Sequence, residues 1–259
     1  MIDLHCHILP NFDDGAADIE ESLNMAMDAI DSGTTGIVAT SHFMGEASAL
    51  PTLTQMDRRF SELKEAFQKA KLDLDLYPGA EILCLPETPR LARQRMLPTL
   101  GNTNFILCEF YFEESPVYMN EMLAYLADRD YRIIVAHPER YQAVQRDPML
   151  LEHWIEQGYV LQMNKGSILG TFGGKVQHTA TQMLGLAQVH LIASDAHGAD
   201  RRTADMRPIR GWLAAHCPPH YTELLLEENP RRILQNRDPI SLREFVPGTS
   251  AASAEEDDS

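Results

Sequence analysis

Seven near-continuous apolar segments, each followed by an amphipathic stretch, constrain this chain more than any other feature. They read "IDLHCHI", "TGIVATSHF", "DLDLYPGAEI", "NFILCEFYF", "YRIIVAHPER", "YVLQMNKGSI" and "VHLIASDAHG". Ile, Val, Leu, Phe and Ala dominate them, as in parallel strands covered on both faces. Helices are expected in the gaps. "DIEESLNMAMDAIDSG" sets Leu23, Ala26, Met27 and Ile30 on one stripe and stops at Gly33. "LTQMDRRFSELKEAFQKAK", "PVYMNEMLAYLADRD", "PMLLEHWIEQG" and "HTATQMLGLAQ" fill other gaps, and "ENPRRILQN" predicts a last short helix. Strand–helix alternation over 259 residues predicts an α/β fold with a parallel sheet, and seven units favour a barrel over an open sheet. No repeat or Gly/Pro/Ser-rich linker divides the chain. Residues 1–245 are therefore expected to form a single domain, and residues 246–259, small, polar and acidic, a disordered tail.

Chemistry gathers where these strands end. The first carries His5 and His7, two apart and so on one face. The second ends in His42, the third in Glu81, the fourth in Glu109, the fifth in His137 and the sixth near Asn164. The seventh ends in Asp195 and His197, again two apart. Barrel active sites lie at this C-terminal rim. Any one of these residues, taken singly, fits an ordinary loop or a satisfied core position. Seven strand ends converging without a cation would leave several buried charges unpaired, each costing roughly several kcal/mol. Imidazole with carboxylate, and no cysteine, suits two or three ions of Mn, Fe or Zn. Such a cluster activates water near neutral pH and clamps phosphoryl oxygens, so phosphoester hydrolysis is the favoured chemistry.

Two arginines follow the ligand candidates, Arg140 in "AHPERY" and Arg202 in "DAHGADRR". A guanidinium holds phosphate oxygens bidentately and stabilises charge developing on them. "CLPETPR" from Cys84 to Arg90 mimics the spacing of cysteine-dependent tyrosine phosphatases, but Pro86 and Pro89 remove donors that a phosphate cradle needs. His153, His178, His190, His216 and His220 lie away from the strand C-termini and are read as surface or core residues.

The formal net charge is −16, which disfavours nucleic acid and anionic membranes as partners. The four cysteines lack zinc-finger or CxxC spacing, and no signal-like or membrane-length apolar run appears. A cytoplasmic protein is expected.

The motifs "HCH", "SHF", "GAEI", "CEF", "AHPERY" and "SDAH" resemble, in order, those of the PHP (polymerase and histidinol phosphatase) superfamily. "IDLHCHILPNFDDGAADIEESLNMA" with "GIVATSHF" is more specific. It is similar to the bacterial manganese-dependent tyrosine-protein phosphatases of capsule and exopolysaccharide loci, the CpsB/YwqE type. The resemblance spans residues 1–236. It implies a distorted (β/α)7 barrel of TIM-like form, the PHP fold, holding three Mn ions. It assigns His5, His7, Glu81 and Asp195 to one ion, Glu81, Glu109 and His137 to a second, and Asp14, His42 and His197 to a third. Arg140 and Arg202 match the phosphate-holding arginines. Asp14 rather than Asp13 is the loop ligand on this resemblance alone.

The implied substrate is the phosphotyrosine tail of a bacterial tyrosine autokinase that drives polysaccharide export. The implied assembly is a homo-oligomer through the helix after residue 15. The family's usual "TPHH" is "TSHF" here, so Ser41 and Phe43 replace a proline and a second histidine at the rim near strand two. The competing functions are another phosphoesterase on the same barrel, a histidinol-phosphate phosphatase or an exonuclease, and a non-enzymatic metal-bound regulator of the kinase. The acidic surface argues against the exonuclease, and the intact ligand set with both arginines against the regulator.

Overall fold

The computed structural model of the chain describes residues 1–44 and 49–245, without the side chains at 49 and 51. The expected acidic tail, 246–259, lies outside the described residues. The strands are β1 (Ile2–Cys6), β2 (Gly36–Ala39), β3 (His42–Phe43), β4 (Asp75–Pro78), β5 (Glu81–Leu83), β6 (Phe105–Glu109), β7 (Arg132–Ala136), β8 (Val160–Asn164) and β9 (Leu191–Ala193). Helices α1 (Ile19–Asp31), α2 (Ala49–Ala70), α3 (Thr88–Arg93), α4 (Pro116–Ala127), α5 (Gln142–Arg146), α6 (Met149–Glu156), α7 (Lys165–Ile168), α8 (Gly174–Gly185), α9 (Arg207–His216), α10 (Pro219–Glu223) and α11 (Asn229–Leu234) lie between and after them. The longer expected helices are present. The expected short helix is α11; the other short helices carry too few apolar positions to show a stripe, whereas α9 went unread although Ile209, Trp212 and Leu213 stand on one face.

The fold is α/β with parallel strands throughout. The order is β1-β2-β4 in one sheet and β3-β5-β6-β7-β8-β9 in the other. Two segments expected as single strands are each broken in two, and each break passes the chain from one sheet to the other. In the first, Thr40 turns its hydroxyl onto the backbone, accepting from Cys6 N at 2.8 Å, and its side chain replaces a ladder bond. In the second, Gly79 follows Pro78 at a place with no room for a side chain. A Cβ there would meet Val38 Cγ1 at 2.6 Å and Leu100 Cδ2 at 2.9 Å.

Hydrogen bonds join the sheets at both seams. Glu81 N donates to Thr40 O at 3.2 Å, and Asp195 N to His5 O at 2.8 Å. Cys6 bridges to Ala196 in parallel.

Both strand faces are buried. Alternate positions (Phe105 and Leu107, Ile134 and Ala136, Leu191 and Ala193) form one apolar cluster with Leu4 and Val38, closed by Ile233 of α11. The other set (Ile106, Cys108, Ile133, Val135, Leu161, Ile192) packs under the helices. The first face turns polar toward the strands' C-terminal ends. Phe105 and Leu107 give way to Glu109, Val160 to Gln162 and Asn164, and Leu191 and Ala193 to Asp195, by the two-residue period of a strand. This apolar-to-polar gradient places the site.

Candidate metal centre

The side chains at these strand ends meet in space. Ligand atoms of His5, His7, Glu81 and Asp195 lie within 4.8 Å of one another, as do those of His7, Asp14, His42 and His197, and those of His42, Glu81 and Glu109. His137 joins the last group, its Nε2 2.8 Å from Glu81 Oε1 and 3.5 Å from Glu109 Oε1. All nine expected ligand residues therefore converge. The grouping differs from the expected one in two respects. His7 faces the Asp14–His42–His197 group as well as its own, and His42 Nδ1 reaches Glu109 Oε2 at 3.5 Å.

Local backbone makes the convergence possible. His137, Asp195 and Arg202 all have positive φ, at 32°, 50° and 51°. Such left-handed conformations are costly for residues with a Cβ and concentrate at functional sites. The loop after β1 folds back on itself, with Ala16 N donating to His7 O at 3.0 Å. It does so only because residue 15 is glycine. A Cβ at Gly15 would stand 2.1 Å from His7 O and 2.5 Å from His7 Cβ.

That loop separates the two aspartates. Asp14 is exposed, with Oδ1 3.5 Å from both His42 Nε2 and His197 Nε2. Asp13 turns inward, and its Oδ2 accepts from His7 Nδ1 and from His42 N, both at 2.8 Å. Asp13 therefore orients a ligand candidate, a role the sequence reading missed; the doubled aspartate before a glycine was its only signal.

The donor set fits metal ions. His7 Nδ1 faces a carboxylate, His5 Nδ1 faces Gln162 Oε1 at 2.9 Å, and His197 Nδ1 faces Asp195 O at 3.1 Å. Each Nδ1 is committed as a donor, which turns each Nε2 lone pair toward the cluster. His5 Nε2 and His7 Nε2 then face each other at 3.2 Å. A cation satisfies both lone pairs, where otherwise a proton must. Burial opposes charge on His7, but Asp13 and Glu81 outweigh it and push the ring up to about 10. Burial and the neighbouring Glu81 push the Glu109 carboxyl up to about 8.

Both expected arginines reach this centre. Arg202 Nη2 lies 2.5 Å from Asp195 Oδ2, and Arg140 Nη1 lies 3.7 Å from the same oxygen. Arg140 packs over two aromatic rings, with its guanidinium carbon 4.3 Å from the centroids of both Phe112 and Phe172. Phe172 also lies beneath Arg202, at 5.6 Å. Phe112 is partly buried and packs against the core while its ring meets Arg140. Phe172, in a Gly-flanked turn without regular structure, carried no sequence signal. Glu139 was also missed. Fully buried, it accepts from Ser167 Oγ at 2.6 Å and Asn164 N at 3.0 Å, and burial raises its carboxyl to about 7 despite these bonds.

The cysteine-phosphatase spacing leads nowhere. Cys84 is buried, with its thiol raised by burial and by Cys108 beside it, and Arg90 pairs with Gln94. Phe43 is fully buried, so the side chain that stands where the family usually has a second histidine packs into the core. His190 stands at the opposite pole, where its Nδ1 accepts from Leu161 N at 3.1 Å.

Fold and site together define an α/β protein with a candidate polynuclear metal centre at the C-terminal ends of parallel strands. The chain belongs to the family described as capsular polysaccharide synthesis, CpsB/CapC, whose model matches residues 1–235. It is 34% identical to the tyrosine-protein phosphatase YwqE of Bacillus subtilis over 207 residues, covering 78% of this chain and 79% of that one. To the tyrosine-protein phosphatase CpsB of Streptococcus pneumoniae it is 27% identical over 242 residues, covering 92% and 99%. Among solved structures it superposes with TM-score 0.83 and 31% identity, over 93% of this chain and 97% of the other, on one reported with YwqE and CpsB as unique metal-dependent tyrosine phosphatases.

Proposed function

We propose that this chain is a metal-dependent protein-tyrosine phosphatase acting in capsule or exopolysaccharide synthesis. The observation that carries the reading is the convergence of nine His and carboxylate residues with two arginines on one buried carboxylate, Asp195. The two sheets are read as one distorted seven-unit barrel, supported by the bonds across both seams. Residues 1–245 are read as one domain.

His5, His7, Glu81 and Asp195 would hold one ion. Glu81, Glu109 and His137, with His42 at their edge, would hold a second, and Asp14, His42 and His197 a third. Manganese is the metal implied by the family resemblance, and Fe or Zn suits the same donors. When bound, the metal supplies Lewis acidity to a phosphoryl group and activates water near neutral pH. The chain's own residues do the rest. Arg140 and Arg202 bind phosphoryl oxygens and offset the charge developing on them. The Phe112 and Phe172 rings hold the Arg140 guanidinium at the mouth, and Asp13 fixes the His7 ring.

The substrate is read as phosphotyrosine in the tail of a polysaccharide-export tyrosine autokinase, and the compartment as cytoplasmic. No helix among the described residues is long and apolar enough to cross a membrane, in keeping with that compartment. Assembly through α1, which exposes Met27, belongs to the same reading.

The test sets a phosphotyrosyl peptide, histidinol phosphate and single-stranded DNA before the manganese-loaded protein, with and without chelator. Preferred, chelator-sensitive turnover of the peptide is expected. Preference for histidinol phosphate would replace the substrate assignment, and turnover that survives chelation but is lost in Cys84→Ser would overturn the metal reading.

A further inference from the structure

Two fully buried amides, Gln162 and Asn164, project from β8 beneath the cluster. Partners with only one possible role fix their orientation. The main-chain N–H of His137 can only donate, and it points at Gln162 Oε1, 3.4 Å away. That end of the amide is therefore oxygen, and His5 Nδ1, 2.9 Å from it, carries a proton. Gln162 Nε2 then donates to Asn164 Oδ1 at 2.9 Å. Asn164 Nδ2 donates in turn to Asp195 Oδ2 at 2.5 Å, a carboxylate oxygen that accepts. The relay begins on one ligand candidate and ends on another. It closes into a ring, because His5 Nε2 lies 3.4 Å from Asp195 Oδ1.

We propose that Gln162 and Asn164 are positioning residues that preset His5 and Asp195 for metal. Gln162 holds the proton of His5 on Nδ1 and so aims Nε2 inward. Asn164 occupies Asp195 Oδ2 and leaves Oδ1 to the cluster, where His7 Nε2 and His197 Nδ1 also lie 3.5 Å from it. Asn164 has a second effect. Arg202 already touches Oδ2, and a guanidinium fork prefers to engage both oxygens of a carboxylate. With Asn164 on the outer oxygen, the carboxylate cannot swing out to take Arg202 bidentately. Arg202 keeps donors free for substrate, and Oδ1 stays on the metal side. Supports of this kind are typically worth about 10–100-fold in metal affinity.

The inference rests on the reading that the cluster holds metal, and its test separates the two. Zinc, being diamagnetic, is titrated into wild type, Gln162→Met, Gln162→Glu and Asn164→Ala. Affinity is measured by calorimetry, and exchange of the His5 Nδ1–H proton by nitrogen-resolved NMR of the zinc-loaded protein. In Gln162→Met, zinc affinity is expected to fall about 10–100-fold and the proton to exchange faster. Gln162→Glu, which keeps an acceptor, restores slow exchange. Asn164→Ala loses affinity with the His5 proton still protected. Wild-type affinity and exchange in Gln162→Met would overturn the relay while leaving the metal reading intact. No zinc binding by wild type would overturn both. Should Gln162→Met fail to fold, Asn164→Ala decides, since unchanged affinity there contradicts the proposal.

Discussion

The guanidinium carbon of Arg140 lies 4.3 Å from the centroid of the Phe172 ring and at the same distance from that of Phe112. A phosphate-binding arginine on a long side chain otherwise loses rotamer entropy each time it engages substrate. The stacked rings hold it in place beforehand. Cation–π contacts are worth about 0.5–2 kcal/mol, so Phe172→Ala should lower kcat/KM about 2–30-fold on a phosphotyrosyl peptide, and Phe172→Tyr should restore it. Steady-state kinetics at saturating manganese check this.

Gly15 is required by contact with the backbone of His7, without any unusual φ. A methyl group there would collide with His7 O at 2.1 Å, and the neighbour is backbone that cannot step aside. Gly15→Ala should displace the loop that carries Asp13 and Asp14. The expected result is a metal affinity lowered about 10-fold or more with the fold retained, read by calorimetry and circular dichroism.

Metal binding should release protons. Carboxylates push His5 up to about 9 and His7 to about 10 against the cost of burial, so protons are held by this facing pair at pH 7 in the metal-free protein. An incoming ion must displace them, so affinity falls as pH falls. Titrations in buffers of different ionisation enthalpy should show net proton release at pH 7.

His190, at the far pole, gives the opposite sign of linkage. Burial, with Arg243 nearby, lowers its pKa to about 4 from an ordinary value of 6.5. Between those values the unfolded chain binds a proton that the folded protein does not. The stability this neutral ring contributes is therefore full above pH 6.5 and is lost as pH falls toward 4, by up to about 3 kcal/mol. Urea unfolding of wild type and His190→Asn across this range should show a shallower pH dependence in the variant.

Eight of the nine candidate ligands were legible in the sequence because strand ends in a parallel α/β fold share one rim, so the polar residues that close the apolar runs are very nearly the candidate site itself; Asp14, in the loop after β1, came only from the resemblance. Asp13, Gln162, Phe172 and Glu139 were not legible. Gln162 lies inside a strand, where a buried amide looks like any interruption of an apolar run. Phe172 acts through a stacking distance set by a turn, and Asp13 could be told from Asp14 only by which way the loop folds. The split of two expected strands was hidden for a related reason. Thr40 and Gly79 break the ladder through a side-chain hydrogen bond and a close approach, and neither leaves a mark in hydrophobic pattern. The positive φ of His137 and Asp195 similarly depends on tertiary support.

The proposed reaction is hydrolysis of phosphotyrosine by this cluster when it is loaded with metal. The most direct measurement is phosphate release from a phosphotyrosyl peptide by chelator-stripped, desalted protein before and after manganese is restored. No turnover above background is expected in the stripped protein, with recovery on adding manganese and no recovery in Glu81→Gln, which removes a carboxylate shared by two of the groups. Equal turnover with and without metal, or full activity in Glu81→Gln, would contradict it.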